Sequence, residues 1–474
     1  MATPSTLHMP SSSNPKILII GAGIGGVTLA LLLEKASIDY EIYERARELK
    51  ALGSGIGIAP NVMPMLEQLG IREDLRNIWQ LFKQMDVYSE APDGQSLEIE
   101  SRTEFTELEE LSGYPSISMA RPEFHAILLS HVPAHKIHFG KRVLSILQDD
   151  DNGVLIRTSD GMTHEGDILV GADGAYSGVR QSLYKQMASE KLLPSSDAED
   201  LKICHMSILG TTNPIDPTLI PYAEDGFSRC CVVMGHNKPH SWRYFEVLGN
   251  RFCWRVDVQL QSKSFVQSDA FRSTDWGTAS SSSIEDDWRA FKVPLGVDGG
   301  YVTIGDLVDA TPKENVTKVM LEEKLYTTWY HRRTVLLGDA CHKMLPNAGR
   351  GAVNAMLDAI ILANAIYEIA LDATPENIQV AFKEYYSERF PHAKADLEAS
   401  QKMAKIHAGQ TWTDSLRRKV VFKFMPASLM RNYFTRTLAY RPQASFLPKV
   451  ECRGSVKADP QKKSKRYARE NSTV

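Results

Sequence analysis

The chain has 474 residues, 43% of them hydrophobic, and a formal net charge of −4 at pH 7. This length is enough for two domains with cores of their own, and the small net charge argues against nucleic acid as the main partner. The six cysteines show no C-x-x-C spacing, and the N-terminus lacks a basic segment followed by an apolar core. No apolar run reaches the roughly 18 residues of a membrane helix. We therefore expect reduced thiols, a cytoplasmic rather than secreted protein, no metal site and no membrane span.

A strand, glycine turn and helix follow a leader, residues 1–14, whose Ser, Pro and Thr content predicts disorder. Residues 17–20 form an apolar run typical of a buried parallel strand. Gly21, Gly23 and Gly26 then fit G-x-G-x-x-G. In this motif the first glycine makes the tight turn, the second lets a pyrophosphate approach the backbone, and the third packs helix on strand.

A second strand and a carboxylate complete the unit. A helix from Val27 to about Ala36 leads into the apolar segment 38–43, and Glu44 stands at its end. A carboxylate about 20 residues past the turn accepts hydrogen bonds from ribose hydroxyls. The pattern predicts a dinucleotide site without choosing between NAD and FAD, and Glu44 makes NADP the least favoured ligand of this site.

Three further features precede the middle of the chain. The glycine-dense loop 53–61, which contains Gly57, is typical either of close approach to a flat ligand or of a flexible connector. Arg121 precedes a predicted helix that begins near Pro122, and an arginine in this place is most often a solvated side chain. Alternating apolar residues from 136 to 168 predict a β-meander.

The sequence pattern of residues 188–324 differs from that of the preceding residues. Strand-like runs predict an antiparallel sheet in a second domain, and the Ser- and Asp-rich stretch 268–286 predicts a mobile loop. The segment contains no nucleophile elbow, no metal-ligand spacing and no P-loop. A substrate pocket is expected here, but the sequence pattern identifies no catalytic group.

A nucleotide-type pattern returns near the end. The apolar strand 334–337 ends in Gly338 and Asp339, and a turn with Arg350 leads into a helix rich in small residues. That helix begins near Gly351 and Ala352. An extended ligand could therefore lie between this helix and the N-terminal glycine turn.

Three motifs, in residues 21–44, 171–180 and 338–363, together resemble those of the class A FAD-dependent monooxygenases, which have the para-hydroxybenzoate hydroxylase fold. They are most similar to fungal secondary-metabolite members that epoxidise or hydroxylate isoprenoid, indole or aromatic substrates. The resemblance implies an α/β fold. It also implies that a Rossmann-like FAD-binding domain with a parallel sheet is interleaved with an antiparallel-sheet substrate domain and followed by a C-terminal helical segment.

The expected domain organisation follows from this resemblance and from the composition of the chain. The FAD-binding domain takes residues 15–187 and 325–395, and the substrate domain takes mainly 188–324. A C-terminal helical cap is expected over 396–452 and a disordered, basic tail over 453–474.

The resemblance also implies roles for individual residues. The glycines of the first turn line the FAD pyrophosphate, Glu44 binds the adenosine ribose, and the remaining cofactor contacts come from Gly57, Arg121, Asp173, Asp339, Gly351 and Ala352. Asp173 belongs to a motif associated with both FAD and the NAD(P)H donor, and Gly351 and Ala352 face the flavin ring. Arg350 departs from the family, since many members carry Gln in its place; a cation here would either support the reduced flavin or obstruct the ring.

The implied chemistry needs a closed pocket more than a nucleophile. NAD(P)H reduces FAD, O2 adds to give a flavin C4a-hydroperoxide, and this species must be kept from water until it meets the substrate. A helix N-terminus at Gly351 would stabilise the negative charge of the reduced flavin. The single glycine fingerprint favours this class over monooxygenases and disulfide reductases with two Rossmann domains.

Substrate contacts and partners are predicted less sharply. Arg243 and Tyr244 resemble positions from which some members orient an anionic or phenolic substrate, but they also fit ordinary sheet residues. The acid-free segment 415–441 combines basic and aromatic residues, which suits a peripheral membrane contact or a helical cap. Another flavoprotein of the same fold, such as a reductase or halogenase, and a non-catalytic flavin- or metabolite-binding protein remain as alternatives.

Overall fold

The computed structural model describes residues 14–49, 53–220, 226–260, 286–295, 300–346, 349–408 and 427–472. Most of the leader, most of the stretch 268–286 and residues 415–426 lie outside the described residues. The strands are β1 (Ile17–Ile20), β2 (Tyr40–Tyr43), β3 (Gly55–Ile58), β4 (Gln80–Glu90), β5 (Leu97–Glu104), β6 (Ile117–Ala120), β7 (Ile137–His138), β8 (Val143–Asp150), β9 (Gly153–Thr158), β10 (Thr163–Gly166), β11 (Ile168–Gly171), β12 (Lys202–Thr211), β13 (Phe227–Met234), β14 (His240–Val247), β15 (Arg251–Gln259), β16 (Lys292–Val293), β17 (Val302–Thr303), β18 (Thr317–Leu325), β19 (Tyr330–His331), β20 (Thr334–Leu336) and β21 (His342–Lys343). The helices are α1 (Ile24–Lys35), α2 (Met63–Leu69), α3 (Arg72–Arg76), α4 (Glu107–Ser112), α5 (Arg121–Ser130), α6 (Gly178–Ser189), α7 (Ser195–Ala198), α8 (Asp286–Arg289), α9 (Ile304–Asp309), α10 (Gly351–Ile369), α11 (Pro375–Ala408), α12 (Ala427–Ala439) and α13 (Lys465–Asn471).

A six-stranded sheet in the order β19-β20-β11-β1-β2-β7 forms the first core. Neighbouring strands of this sheet are parallel, except that β19 and β20 pair in the antiparallel direction. Each residue of β1 is buried, as expected of a parallel strand covered on both faces, and α1 and α10 pack together beside it. The α/β fold with a parallel sheet and helices is thus confirmed.

A larger sheet runs in the order β21-β18-β12-β15-β14-β13-β4-β6-β3, with β5 paired to β4. One face carries a second apolar core that packs against α8 and α9. The strands from residues 55–120 belong to this sheet, although they lie within the predicted FAD-binding segment 15–187. Strand propensity identifies an extended segment but not the partner with which it pairs, so the crossing of the chain between sheets was not visible in the sequence.

Helix α10 is long and apolar enough, by length and composition alone, to cross a membrane. Most of it is buried in the described structure, where it packs between α1 and α11. That position is typical of the core helix of a folded domain.

The C-terminal residues wrap back over the FAD-binding part of the chain. Arg453 pairs with Glu67, the N–H of Ser455 donates to the Glu110 carbonyl (3.0 Å), and α13 begins at Lys465. The expectation of a disordered tail is therefore wrong for residues 453–472. Polar composition favours disorder because such a segment buries little apolar area, but here distant backbone groups hold the tail through hydrogen bonds.

Candidate functional site

Three loops meet where the strands of the parallel sheet end. Ile20 lies opposite Gly171, and Gly171 lies opposite Leu336, so β1, β11 and β20 finish side by side. The loops that follow them begin with Gly21, Ala172 and Leu337. Because carboxyl ends of parallel strands share one edge, the three sequence motifs converge on a single crevice.

The three glycines of the first loop meet different surroundings. Gly21 has φ +107°, and a Cβ on it would lie 2.5 Å from the Ala172 carbonyl oxygen. A Cβ on Gly26 would lie 2.1 Å from the Gly21 carbonyl oxygen, whereas one on Gly23 would meet no described atom within 4 Å. Gly21 and Gly26 are thus required by the turn and by packing, and Gly23 faces open space that a ligand could occupy.

The N-terminus of α1 points into this open space without a side-chain cap. Its first turn also carries no acidic residue. The amide N–H groups and the positive end of the helix dipole therefore remain available for an anion such as a pyrophosphate.

Glu44 lies beside the glycine turn. Its Oε2 accepts a hydrogen bond from the Ala22 N–H (2.9 Å), and its Oε1 accepts one from the Ala46 N–H (2.8 Å). These two bonds fix the carboxylate at the end of β2. Since each carboxylate oxygen can accept more than one hydrogen bond, the group can still bind ribose hydroxyls.

Arg121 is the first residue of α5 and packs against the glycine-dense loop. Its N–H donates to the Ser54 carbonyl (2.9 Å), and a Cβ on Gly53 would lie 3.3 Å from Arg121 Cδ. Burial lowers the pKa of Arg121, while the nearby Asp339 carboxylate acts in the opposite direction. Among atoms of the described part of the chain, a Cβ on Gly57 would approach only the Ile117 carbonyl oxygen, at 4.0 Å.

His125 was missed by the sequence reasoning. Its Nε2 donates to the Ala22 carbonyl inside the glycine turn (2.6 Å), and burial lowers the pKa of the ring. The signal was its position four residues after Arg121, since residues i and i+4 lie on the same face of a helix.

Asp173 follows β11 at the same edge of the sheet. Its Oδ2 accepts hydrogen bonds from the N–H groups of Gly178 (2.7 Å) and Val179 (3.2 Å). Its Oδ1 is buried and has no hydrogen-bond partner among the described residues. Burial raises the pKa of this carboxyl group. A buried acceptor of this kind is expected to bind a group from outside the chain, such as a ligand hydroxyl.

Asp339 and the start of α10 form the side of the crevice that follows β20. Asp339 accepts a hydrogen bond from Lys343 Nζ (2.7 Å). Helix α10 begins at Gly351 without a side-chain cap, and a Cβ on Gly351 would meet no atom of the described residues within 4 Å. A second uncapped helix N-terminus therefore faces open space, with the small Ala352 as its next residue.

Arg350 binds other protein groups. Its Nε donates to Asp396 on α11 (3.1 Å), and its Nη1 donates to the Asn61 side chain (3.3 Å). Asn354, one turn further along α10, donates to the same Asp396 oxygen (2.7 Å). The cation that departs from the family pattern thus fixes the turn before α10 to α11.

His342 belongs to a buried ion-pair network. Its Nε2 donates to Asp358 (2.5 Å), whose other oxygen accepts a bond from Arg389 Nε (2.7 Å). Burial alone would raise the pKa of Asp358, but His342 and Arg389 lower it to about 2. Cys341, His342 and Asp358 have potential metal ligand atoms within 4.8 Å of one another. However, the Asp358 carboxylate is already occupied by the Arg389 cation.

The structure separates Arg243 and Tyr244. Tyr244 lies in the apolar core of the large sheet, and its hydroxyl approaches the Pro294 carbonyl (3.5 Å). Arg243 lies on the opposite face, where it pairs with Asp257 (3.3 Å). The two side chains therefore do not meet in one pocket.

Several of these features fit FAD. The space over Gly23 and the uncapped α1 N-terminus suit a pyrophosphate, and the unpaired Asp173 oxygen suits a hydroxyl. The open N-terminus of α10 suits a flat ring that carries negative charge.

Comparison with known proteins also indicates that the chain binds FAD. The FAD binding domain family matches residues 14–242 and 305–400. FAD-dependent monooxygenase ausM of Emericella nidulans is 29% identical over 447 residues, which are 91% of this chain and 87% of that protein. FAD-dependent monooxygenase paxM of Penicillium paxilli is 27% identical over 448 residues, with coverages of 91% and 87%.

Solved structures show the same fold. Klebsiella pneumoniae HpxO complexed with FAD and uric acid has a TM-score of 0.69 at 21% identity, covering 90% of this chain and 97% of that one. CtdE in complex with FAD and its substrate 4 has a TM-score of 0.63 at 17% identity, covering 90% and 98%. Together with the family match, these similarities confirm the predicted resemblance and fold.

Proposed function

The chain belongs to the FAD binding domain family, and from this premise we propose that it is an NAD(P)H-consuming monooxygenase. The chain is an FAD-dependent monooxygenase, an oxidoreductase of secondary metabolism like its curated relatives. The proposal adds the electron donor, NADH or NADPH, and the transfer of one atom of O2. It also adds the substrate class, an apolar, aromatic or isoprenoid small molecule that is hydroxylated or epoxidised.

The convergence of three motifs at one sheet edge carries the proposal. The open glycine turn, the unpaired Asp173 oxygen and the open α10 N-terminus line one crevice at the ends of β1, β11 and β20. When bound there, FAD would supply electron transfer from the nicotinamide to O2 and delivery of one oxygen atom to the substrate.

Each residue of the crevice has a binding role in this proposal. The α1 N-terminus and Gly23 hold the pyrophosphate, and Glu44 accepts hydrogen bonds from the adenosine ribose. Arg121 and Asp339 bind the middle of the cofactor.

No catalytic role is assigned to His342 or Cys341 in this proposal. His342 and Cys341 lie in the buried network around Asp358, away from solvent. The chain therefore contributes orientation, water exclusion and fixed dipoles. The amide groups at Gly351 and Ala352 place positive partial charge where the flavin ring would become negative on reduction.

Localisation and partners are part of the same proposal. We place the enzyme in the cytoplasm, without a nucleic-acid partner, and assign segment 415–441 a peripheral membrane contact. In the described part of that segment, Leu429 and Tyr433 lie one turn apart on α12 and are both exposed. Co-sedimentation with anionic vesicles tests this contact, and the absence of binding at low salt would contradict it.

The function is tested on the purified protein. We expect bound oxidised flavin in the absorbance spectrum, and slow NADPH oxidation that releases hydrogen peroxide when no substrate is present. Pools of prenylated indoles and aromatic compounds should contain one that accelerates oxidation and incorporates labelled oxygen from O2. NADPH oxidation without O2 uptake would favour a reductase, and a colourless protein that cannot be reconstituted with FAD would refute the proposal.

A further inference from the structure

Asn61 lies at the end of the glycine-dense loop, in the short 3₁₀ helix Pro60–Val62, and is only 1% exposed. A side-chain amide has two N–H donors and one oxygen acceptor, and a buried amide is expected to pair all three. The Nδ2 of Asn61 donates to the carbonyls of Thr437 (2.7 Å) and Tyr440 (2.9 Å). Its Oδ1 accepts a hydrogen bond from Arg350 Nη1 (3.3 Å). The partners thus define which end of the amide faces which segment.

The donor side of the amide faces the end of α12. The last four carbonyl groups of an α-helix have no partner within the helix. Thr437 carries one of these groups, and Tyr440 is the first residue after the helix. Leu438 packs in an apolar cluster with residues of α4. Asn61 therefore caps the C-terminus of α12 from a distant part of the chain, at a point where the helix is also packed against α4.

The acceptor side of the amide faces the turn before α10. Arg350 directly precedes Gly351, and its Nε donates to Asp396 on α11 (3.1 Å). Asn354 donates to the same carboxylate oxygen (2.7 Å) and to the Arg350 carbonyl (3.1 Å). The side chains of Arg350 and Asp396 are 13% and 16% exposed, so solvent screens their ion pair only weakly. The start of α10 is thus held by α11 through Asp396 and by the end of α12 through Asn61.

Asn61 also lies between two parts of the proposed FAD site. Its 3₁₀ helix follows β3, which contains Gly57, and packs against both α10 and α12. Gly57 and Gly351 are both expected to contact the cofactor. One buried amide therefore joins the loop on one side of the cofactor, the turn on the other side, and the C-terminal segment, residues 427–472.

We propose that Asn61 is a positioning residue that transmits the position of the C-terminal segment to the turn before α10. It thereby sets how strongly the N-terminus of α10 stabilises the reduced flavin. The inference rests on the FAD site proposed above and goes beyond it, because Asn61 acts through Arg350. Movement of Arg350 shifts the amide groups at Gly351 and Ala352, whose effect on an anion is confined to the first turn of the helix.

The first test measures the midpoint potential of the bound flavin in the wild type and in Asn61→Ala. Displacement of the helix N-terminus should weaken the binding of reduced relative to oxidised flavin by roughly 2- to 30-fold. For a two-electron couple, this change lowers the midpoint potential by about 10–45 mV. An unchanged potential in Asn61→Ala would overturn the proposal.

Gln68 provides the matched control, because it is a second side-chain amide that holds the C-terminal segment. Its Nε2 donates to the carbonyls of Ala444 (3.1 Å) and Pro448 (3.0 Å), and its Oε1 accepts from the Ala444 N–H (2.8 Å). Arg350 takes part in none of these bonds. Gln68→Ala should therefore loosen the C-terminal segment and leave the flavin potential within experimental error of the wild type. An equal shift in Gln68→Ala and Asn61→Ala would refute the role of Asn61.

A double variant tests whether Asn61 acts through Arg350. Asn61→Ala should lower the potential less in the Arg350→Gln background than in the wild type, because the bond that it removes is already altered. Gln68→Ala and Arg350→Gln should instead act independently. Full additivity of Asn61→Ala and Arg350→Gln would contradict the proposal.

Hydrogen exchange of the FAD-free protein gives a readout that needs no cofactor. Asn61→Ala should accelerate exchange at the end of α12 and at the start of α10, where the Asn354 N–H donates to the Arg350 carbonyl (2.9 Å). Arg350→Gln should also accelerate exchange at the end of α12, since coupling between two sites is reciprocal. Unchanged exchange there in Arg350→Gln would overturn the proposal, and this result decides the question if Asn61→Ala does not fold.

The two proposals fail in different ways. A protein that binds no FAD but shows the coupled exchange would refute only the monooxygenase function. Substrate turnover with bound FAD, together with exchange and potentials that do not respond to Asn61→Ala, would refute only the positioning role of Asn61.

Discussion

Gly23→Ala and Gly26→Ala should have opposite consequences, although both substitutions add one methyl group to the same turn. Gly23 has φ −71° and ψ 175°, which alanine adopts without strain, and its Cβ would meet no described atom within 4 Å. A Cβ added to Gly26 would instead lie 2.1 Å from a backbone carbonyl oxygen. The first methyl group would therefore occupy ligand space, and the second would disrupt the protein itself.

The magnitudes follow from this geometry. Without FAD, Gly23→Ala should leave the free energy of unfolding unchanged or raise it by about 0.4–1 kcal/mol, since alanine restricts the unfolded chain. With FAD, overpacking at the pyrophosphate should cost about 1–3 kcal/mol, or roughly 5- to 150-fold in affinity. Gly26→Ala should lower the stability of the FAD-free protein by at least about 1–3 kcal/mol because backbone atoms must move.

The assay needs FAD-free protein of each variant. Urea unfolding gives the stability without ligand, and titration with FAD followed by flavin fluorescence gives the dissociation constant. Wild-type FAD affinity in Gly23→Ala would refute the placement of the pyrophosphate over this glycine. Equal FAD-free stability of the two variants would refute the packing role of Gly26.

Three further substitutions probe other parts of the site. Glu44→Ala should weaken FAD retention and, because two backbone N–H groups lose their acceptor, lower the FAD-free stability by about 1–3 kcal/mol in urea unfolding. Arg350→Gln breaks the pair with Asp396, so it should change the rate of flavin reduction in stopped-flow experiments while FAD remains bound. Asp358→Asn leaves Arg389 buried without its counter-charge and should destabilise the protein by about 3–5 kcal/mol. The pKa of Asp358 is lowered to about 2. Its contribution is therefore present above its unfolded pKa of about 3.9, and about 2–3 kcal/mol of it is lost as the pH falls toward 2.

Each of these predictions has a contradicting result. Full flavin occupancy of Glu44→Ala at dilute enzyme would remove the ribose assignment, and Glu44→Gln, which keeps one acceptor oxygen, is the matched control. Unchanged reduction kinetics in Arg350→Gln would show that its pair with Asp396 does not position the flavin turn. A parallel fall in stability of wild type and Asp358→Asn below pH 4 would show that another carboxylate is responsible.

The conformation of the turns followed from short stretches of sequence. The run 17–20, the glycine spacing and Glu44 correctly predicted a strand, a turn and a carboxylate beside it, because these features depend on backbone conformation and near neighbours. The resemblance of three separated motifs then predicted the family, which the matches confirm. The ribose contact of Glu44 and the cofactor contacts of the other residues stay predictions.

The sequence failed where a residue's role depends on a distant partner. It offered two roles for Arg350, at the flavin ring, yet the side chain is held by Asp396 from a different helix. It paired Arg243 with Tyr244 as neighbours, although successive strand residues point to opposite faces. It also predicted a disordered tail over residues that backbone groups of the N-terminal half hold in place.

The sequence alone thus determined the local geometry of the glycine turn, the type of the first strands and the family, since each depends on residues close together or on a fixed motif. Only the tertiary structure decided which strands joined the large sheet and that Arg243 and Tyr244 lie on its opposite faces. These properties depend on contacts between residues far apart in the chain, and no local propensity encodes the partner across such a distance.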